Sequence, residues 1–129
     1  MPALDLSLLP DLYAICRLPA DSPPPAWAAG GRPFVSVTRT ADELSITCPQ
    51  TLVPPDVQHE SGWRVLKLEG PFDLSLIGIL APIATALAQA QVNIFVISTY
   101  DTDYVLVKEA RLDEAVRAIE ALGHHVRLN

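Results

Sequence analysis

Between residues 63 and 128 the hydrophobic pattern alternates between the two-residue period of strands and the 3.6-residue period of helices, and this alternation leaves few folds open. Four strands are predicted, at 63–69, 92–99, 104–108 and 124–128. Two helices are predicted, one over 76–90 and one from Asp113, a good N-cap, to Gly123. The order β-α-β-β-α-β is that of a ferredoxin-like α+β fold, whose helices cover one face of an antiparallel sheet.

The first predicted helix contains a proline, which limits where the helix can begin. Its apolar stripe recurs at helical spacing, at Leu76, Leu80, Ile83 and Leu87. The ring of Pro82 would crowd the carbonyl four residues earlier, at Gly78. We therefore expect either a bend at this point or a helix that begins later than residue 76.

The first half of the chain repeats this pattern in a shortened form. Strands are predicted at 12–18, 34–39 and 44–48. Proline-rich stretches at 19–33 and 49–61 stand where the two helices would be, and the first has room for one helical turn at most.

A direct comparison of the two halves supports a repeat. Sliding residues 34–46 onto 95–107, an offset of 61, aligns four identical residues without a gap, and an offset of 50 aligns the first strands. The sequence thus predicts an abbreviated repeat at 10–62 and a complete unit at 63–129. Because an incomplete copy cannot cover its own sheet, we expect the two to pack together.

Charge and composition argue against several classes of function. The 129 residues carry a formal net charge of −6, which disfavours nucleic-acid binding, and half of them are hydrophobic, which is enough for a core. We see no secretory signal, and the longest apolar stretch, 74–90, is too interrupted to span a membrane. Cys16 and Cys48 lack metal-site spacing and lie in strand-like runs, as buried thiols do. We expect a cytoplasmic protein with reduced thiols and no membrane or nucleic-acid partner.

No arrangement of residues in the sequence is typical of catalysis. A nucleophile or base needs an activating partner, and we find neither a Ser–His or Cys–His motif nor a glycine-rich phosphate loop. His124 and His125 are adjacent in a predicted strand and face opposite sides, while His59 lies far away in the chain, so no metal site is predicted. The sequence therefore favours a protein that is not an enzyme and has no cofactor.

Two segments carry a family resemblance. One is Gly70–Ala81, which ends in Gly-Ile-Leu-Ala, and the other is Val92–Glu109, which contains Ile-Ser-Thr-Tyr-Asp-Thr-Asp-Tyr. Both resemble the ACT domain, in particular the small bacterial proteins with two tandem ACT-like halves. They are more distantly similar to the ACT repeats of the CASTOR-type arginine sensors. Residues 36–46 resemble the same group.

The resemblance implies a regulatory module that binds a free amino acid at an interface between two ACT units, within one chain or between two subunits of a homodimer. In that family the α-carboxylate of the ligand meets backbone amides at the start of the first helix. Side chains at the end of the second strand meet its amino group and side chain. Carried onto this chain, the candidate site residues are Leu76, Ile77, Gly78, Ile79, Thr99, Tyr100, Asp101 and Asp103. The resemblance also implies a regulated protein partner.

The chemistry of these positions agrees with that placement, although simpler explanations exist. A helix N-terminus offers N–H donors to a carboxylate, and Asp101 and Asp103 carry charge for an ammonium group. Tyr100 is suited to capping the ligand side chain. Close helix packing would also explain Gly78, and turn formation would also explain the two acids.

Three questions stay open at this point. The alternative function is a structural or protein-interaction module with the ACT fold and no ligand. A closed pocket formed by Tyr100 and the two acids beside Gly78 would favour the sensor, and their exposure to solvent would favour the alternative. The repeat positions Thr38, Arg39 and Asp42 form either a second site or a decayed one. The sequence does not set which amino acid is bound.

Overall fold

A computed structural model of the chain describes residues 3–72 and 77–128. Its strands are β1 Asp5–Leu8, β2 Tyr13–Leu18, β3 Ser36–Arg39, β4 Leu44–Pro49, β5 Gln58–Leu68, β6 Ile94–Ser98, β7 Asp103–Lys108 and β8 His125–Arg127. Its α-helices are α1 Ala26–Ala29, α2 Ala81–Gln89 and α3 Leu112–Glu120.

The chain divides into two compact units. The larger unit joins the residues up to Pro10 to those from Arg64 onward, and the smaller unit is Asp11–Trp63. The boundary falls within β5, so that strand contributes residues to each unit.

The larger unit has the predicted element order β5-α2-β6-β7-α3-β8, which is that of the ferredoxin-like α+β fold. Its strands lie in the order β6-β7-β5-β1-β8. β1 is an addition to the predicted pattern: it runs antiparallel to β5 on one side and parallel to β8 on the other. The start of the chain therefore supplies an interior strand of this sheet.

β1 is stable between β5 and β8 because every second side chain is apolar. Leu4, Leu6 and Leu8 are buried and alternate with polar residues, which is the pattern of a strand with one face on a core. Leu6 lies opposite Leu68 in β5 and Val126 in β8. Just before the strand, the backbone N–H of Leu4 donates a hydrogen bond to Nδ1 of the buried His124 (3.1 Å).

The core of the larger unit lies between its sheet and its two long helices. Ile83 and Leu87 of α2, with Ala115 and Ile119 of α3, are fully buried against leucines and valines of the strands. Removing this apolar surface from water is the main stabilising term for the unit. Leu122, which falls inside the helix predicted from Asp113 to Gly123, lies beyond the end of α3 and is exposed.

α2 begins at Ala81, which confirms the alternative of a helix that begins later than residue 76. Pro82 then stands in the first turn, where its missing N–H would have had no helical partner. Leu76, the first residue of the predicted stripe, lies outside the described residues. α3 begins one residue before Asp113, so this side chain lies in the first turn rather than at the N-cap.

The smaller unit has a sheet in the order β3-β4-β2-β5, with a separate apolar core. The single-turn helix α1 is all that forms in the predicted loop 19–33. β5 begins at Gln58, five residues before the predicted start at Trp63, because its polar first residues pair with β2 through the backbone. Because these residues are polar, the hydrophobic pattern of the sequence did not identify this part of the strand.

The two thiols lie in the core of the smaller unit. Cys16 in β2 and Cys48 in β4 are both buried and free. The Cys16 thiol donates a hydrogen bond to Cys48, which raises the pKa of Cys16 and lowers that of Cys48, and burial also raises the pKa of Cys16. The pair acts here as small apolar packing residues.

Tyr13 makes the stability of the protein depend on pH in the alkaline range. Its side chain is fully buried beside the ring of Phe34, and burial raises the Tyr13 pKa to about 12, with the nearby charge of Asp11 adding to the effect. The unfolded chain, with a tyrosine pKa of about 10, releases its proton first. Stability is therefore expected to be unaffected by this group below pH 10 and to fall by roughly 2 kcal/mol as the pH rises from about 10 to 12.

Urea unfolding of wild type and Tyr13→Phe at several pH values measures this effect. The variant is expected to lose less stability than wild type across that alkaline range. Tyr100→Phe, at a tyrosine that is 80% exposed, is the matched control and is expected to follow wild type. Parallel pH profiles for wild type and Tyr13→Phe would contradict the assignment.

Candidate functional site

One backbone hydrogen bond brings together the two segments in which the candidate residues lie. The N–H of Phe72, in the loop after β5, donates to the carbonyl of Asp101, in the turn between β6 and β7 (2.8 Å). Gly70 permits this approach, because a Cβ there would lie 2.9 Å from the Phe72 nitrogen and 3.2 Å from the Asp101 oxygen. We call Gly70, Phe72 and Asp101 the clamp. The clamp was missed in the sequence, where Gly70-Pro71 indicated only the end of a strand.

The turn itself is rigid and is anchored to the end of β5. The N–H of Thr99 donates to the carbonyl of Thr102 (2.8 Å), and the Thr99 hydroxyl donates to the same carbonyl (3.1 Å). The Thr102 side chain is 7% exposed, and its hydroxyl donates to the carbonyl of Leu68 (2.6 Å). Thr99 therefore serves the turn, and Thr102 joins the clamp in fixing the turn against β5.

The two acids of the candidate site have different environments. The half-buried carboxylate of Asp103 accepts a hydrogen bond from the hydroxyl of Ser98, directly opposite in the β6–β7 ladder. The exposed carboxylate of Asp101 makes no hydrogen bond or ion pair with any described residue. Asp101 is thus the more available of the two for a cationic group.

At the candidate site, the loop before α2 offers loop backbone groups and not the N-terminal amides of the helix. Residues 77–79 precede the helix, so the prediction that they supply the first amides of the helix is wrong by a few residues. Gly78 has φ of +80°, and nothing lies within 4 Å of where its Cβ would be. The left-handed backbone favours glycine at this position, and the open space beside the Cα leaves the backbone accessible. Leu76 lies outside the described residues.

The apolar side chains at this end of the larger unit point in different directions. Ile77 is 93% exposed and Tyr100 is 80% exposed, whereas Ile79 packs against the core. Tyr100 and Asp101 face solvent in the described part of the chain and do not line a closed pocket there. Taken alone, this exposure favours the interaction module over a sensor that is complete within one chain.

The equivalent turn of the smaller unit is built in the same way. The N–H of Thr40 donates to the carbonyl of Glu43 (2.9 Å), and the Thr40 hydroxyl accepts from the N–H groups of Asp42 and Glu43 (both 3.1 Å). β4 begins at Leu44 and β7 at Asp103, an offset of 59 residues. The hairpins therefore correspond at 59, and the predicted offset of 61 is wrong by two residues.

Metal-binding clusters and membrane-spanning helices are both absent from the described residues. Residues 3–72 and 77–128 contain no group of three or more His, Cys, Asp or Glu side chains placed to hold a metal ion. Across the same ranges, no helix is both long enough and apolar enough to cross a membrane.

Comparison with known families identifies the domain. A family model described as "ACT domain" matches residues 58–121. A second model, described as the N-terminal domain of a separately named family, matches residues 11–56. No curated protein matches the chain.

Solved structures extend the comparison to the whole chain. A protein from Agrobacterium tumefaciens is 40% identical with a TM-score of 0.93, over 100% of this chain and 96% of its own. The ligand-free regulatory subunit of aspartate kinase from Thermus thermophilus has 15% identity and a TM-score of 0.60, over 90% of this chain and 95% of its own. The aspartate kinase of Clostridium acetobutylicum has 14% identity and a TM-score of 0.64, over 90% of this chain but 34% of its own.

These findings establish the class of protein. Residues 58–121 match the ACT domain family, and over all 129 residues the chain belongs to one family with the Agrobacterium protein. The likeness to the aspartate kinases shows a shared fold.

Proposed function

We propose that this protein is a non-catalytic regulatory module that binds a free amino acid where the β5–α2 loop meets the β6–β7 turn. The observation that carries the proposal is the clamp, since the hydrogen bond from Phe72 to Asp101 joins the two candidate segments at one end of the larger unit. The bond holds the β5–α2 loop, at Phe72, against the β6–β7 turn, and the approach of residues 77–79 to the same turn is part of the proposal.

Each part of this end has chemistry suited to one part of an amino acid. The open backbone at Gly78 lets a carboxylate approach the N–H groups of the loop closely. The unpaired carboxylate of Asp101 suits the ammonium group, and Tyr100 suits the side chain. The ACT domain match and the aspartate kinase regulatory subunit with the same fold support a regulatory role.

The exposure of Ile77 and Tyr100 suggests that a second ACT unit closes the site. A ligand buried on one side only would keep much of its surface in water, whereas small-molecule sites usually bury most of their ligand. In this proposal a second copy of the chain covers the two exposed side chains and completes the site. Ligand binding then favours the closed pair of subunits, and a protein partner recognises that state.

Thermal unfolding of the purified protein against each of the twenty amino acids, at millimolar concentration, tests the proposal. A ligand at a hundred times its dissociation constant adds about 2.7 kcal/mol of stability. For a chain of this length the midpoint is expected to rise by roughly 10 °C for one amino acid or a small chemical group of them. No response from folded, ligand-free protein would contradict the proposal.

Asp101→Asn separates binding from folding. The substitution keeps the size of the side chain and removes its charge, so the affinity for the responding amino acid is expected to fall at least about tenfold. The unfolding midpoint without ligand is expected to be unchanged, because this carboxylate bonds to no described residue. Asp113→Asn, at an exposed acid in α3, is the control and should bind like wild type. Equal affinity for Asp101→Asn and wild type would remove Asp101 from the site.

A second candidate function is a protein-interaction module that uses the same end without a small ligand. The observation that favours it is the exposure of Ile77 and Tyr100, since large apolar side chains in solvent often mark contact surfaces. An empty amino-acid panel, together with a dimer or complex lost on Tyr100→Ala, would favour this function over the first.

A further inference from the structure

We infer that the turn of the smaller unit is a permanently closed counterpart of the candidate site, with Arg17 as its lock, so that each chain binds one ligand and not two. The statement about ligand number rests on the proposed function. The lock itself rests on the geometry of the two turns and has its own test.

The two turns share a closing backbone hydrogen bond and a Thr-x-Asp sequence. Each begins with a threonine whose N–H donates to the carbonyl three residues on, from Thr40 to Glu43 and from Thr99 to Thr102. At the offset of 59 that aligns the hairpins, Thr40 corresponds to Thr99, and Asp42 corresponds to Asp101. A site that used the second turn would therefore be expected at the first turn, unless something blocks it.

The units differ in which group bonds to the carbonyl of the aspartate. In the larger unit the partner is the backbone N–H of Phe72, which brings the β5–α2 loop alongside the turn. In the smaller unit the partner is Nη2 of Arg17, from β2, which reaches the carbonyl of Asp42 (2.9 Å). A charged side chain here replaces a loop that would present its backbone to a ligand.

A second arginine closes the same end of the smaller unit. Nη1 of Arg39, the last residue of β3, donates to the carbonyl of Ala20 in the proline-rich loop. The helix that follows this loop, α1, has only four residues, so it offers no developed N-terminus to a carboxylate. Both guanidinium groups are held by backbone carbonyls of their own unit.

The charge of Arg17 also opposes the ligand proposed for the other turn. An ammonium group placed beside Asp42, as it is proposed to lie beside Asp101, would meet the guanidinium of Arg17 at close range. Arg39 and Asp42 are therefore assigned to closing this hairpin and not to a second amino-acid site, and Thr38 to the pairing of β3 with Ser45 of β4.

Equilibrium dialysis with the responding amino acid counts the sites. The expected result is one ligand per chain, with Asp42→Asn binding like wild type while Asp101→Asn loses at least about tenfold in affinity. Two ligands per chain, or equal losses from the two matched substitutions, would overturn the inference. If no amino acid binds, the proposed function is wrong. The role of Arg17 as the lock is then tested by the hydrogen-exchange experiment alone.

Hydrogen exchange of Arg17→Met tests the lock without any ligand. Loss of the guanidinium is expected to speed exchange of the Thr40 and Glu43 amides about fivefold, because the turn opens more often. Arg32→Met, at an exposed arginine in the same unit, is the matched control and should leave those amides unchanged. Equal exchange in Arg17→Met and wild type would overturn the assignment of Arg17 as the lock.

Discussion

Replacing Leu6 by alanine is expected to lower the free energy of unfolding by about 3 kcal/mol, within the usual range for a fully buried leucine. Leu6 is completely inaccessible to solvent and lies between Leu68 and Val126 on the neighbouring strands. Its truncation leaves a cavity in an interior strand, where the surrounding sheet has little freedom to collapse.

Urea unfolding followed by circular dichroism at pH 7 measures the change. Leu128→Ala is the matched control at the other end of the chain, since that side chain is 61% exposed, and its effect is expected to stay within about 0.5 kcal/mol. A change below 1 kcal/mol for Leu6→Ala would show that β1 is not an integral strand of the larger unit.

The second large effect is expected at the clamp. Gly70→Ala places a methyl group 2.9 Å from the backbone nitrogen of Phe72, and backbone cannot move aside as a flexible side chain would. Overpacking of this kind is expected to cost about 2 kcal/mol of stability. It also pushes the loop away from Asp101, so binding of the responding amino acid should weaken in the same variant.

Gly30→Ala provides the control for the clamp. Nothing lies within 4 Å of the added Cβ at Gly30, and its φ of −95° is open to any residue. This variant is expected to unfold and bind like wild type. If Gly70→Ala behaved in the same way, the close contact of Phe72 and Asp101 would not be a constraint on the protein.

The element order of the larger unit was predictable because its periodic signals are strong. The stripe of α2 comes from burial on one face, whereas β6 and β7 are continuous apolar runs with turn residues between them. Pro82 also limited where α2 could begin, since a proline in the interior of a helix bends or ends it, and the structure places this proline in the first turn.

β1 and the first part of β5 were missed for opposite reasons. β1 carries a clear alternation of leucines over Leu4–Leu8, but it is short and lies next to the terminus. The first residues of β5 are exposed and polar, so only their backbone pairing with β2 identifies them as strand. Pairing with a strand that is distant in the sequence does not change the local order of apolar and polar residues, so that order does not predict it.

The location of the candidate site stays a prediction, and only part of the geometry around it could be predicted from the sequence. Gly78 and the turn residues stood out by residue type, whereas the clamp depends on a contact between residues about thirty positions apart. The register of the repeat went wrong because chance identities at one offset outweighed the shared Thr-x-Asp turn at another. Only the strand pairing in the structure distinguishes the offset of 59 residues from the offset of 61.

A titration of ¹⁵N-labelled protein with the responding amino acid, followed by amide chemical shifts, tests the central claim most directly. The account predicts that the largest shifts fall on residues 77–80 and 99–103, with the Thr40–Glu43 turn unaffected. The shifts should be lost in Asp101→Asn and kept in Asp113→Asn. Shifts centred on the Thr40–Glu43 turn, or saturation without change at 77–80 and 99–103, would contradict it.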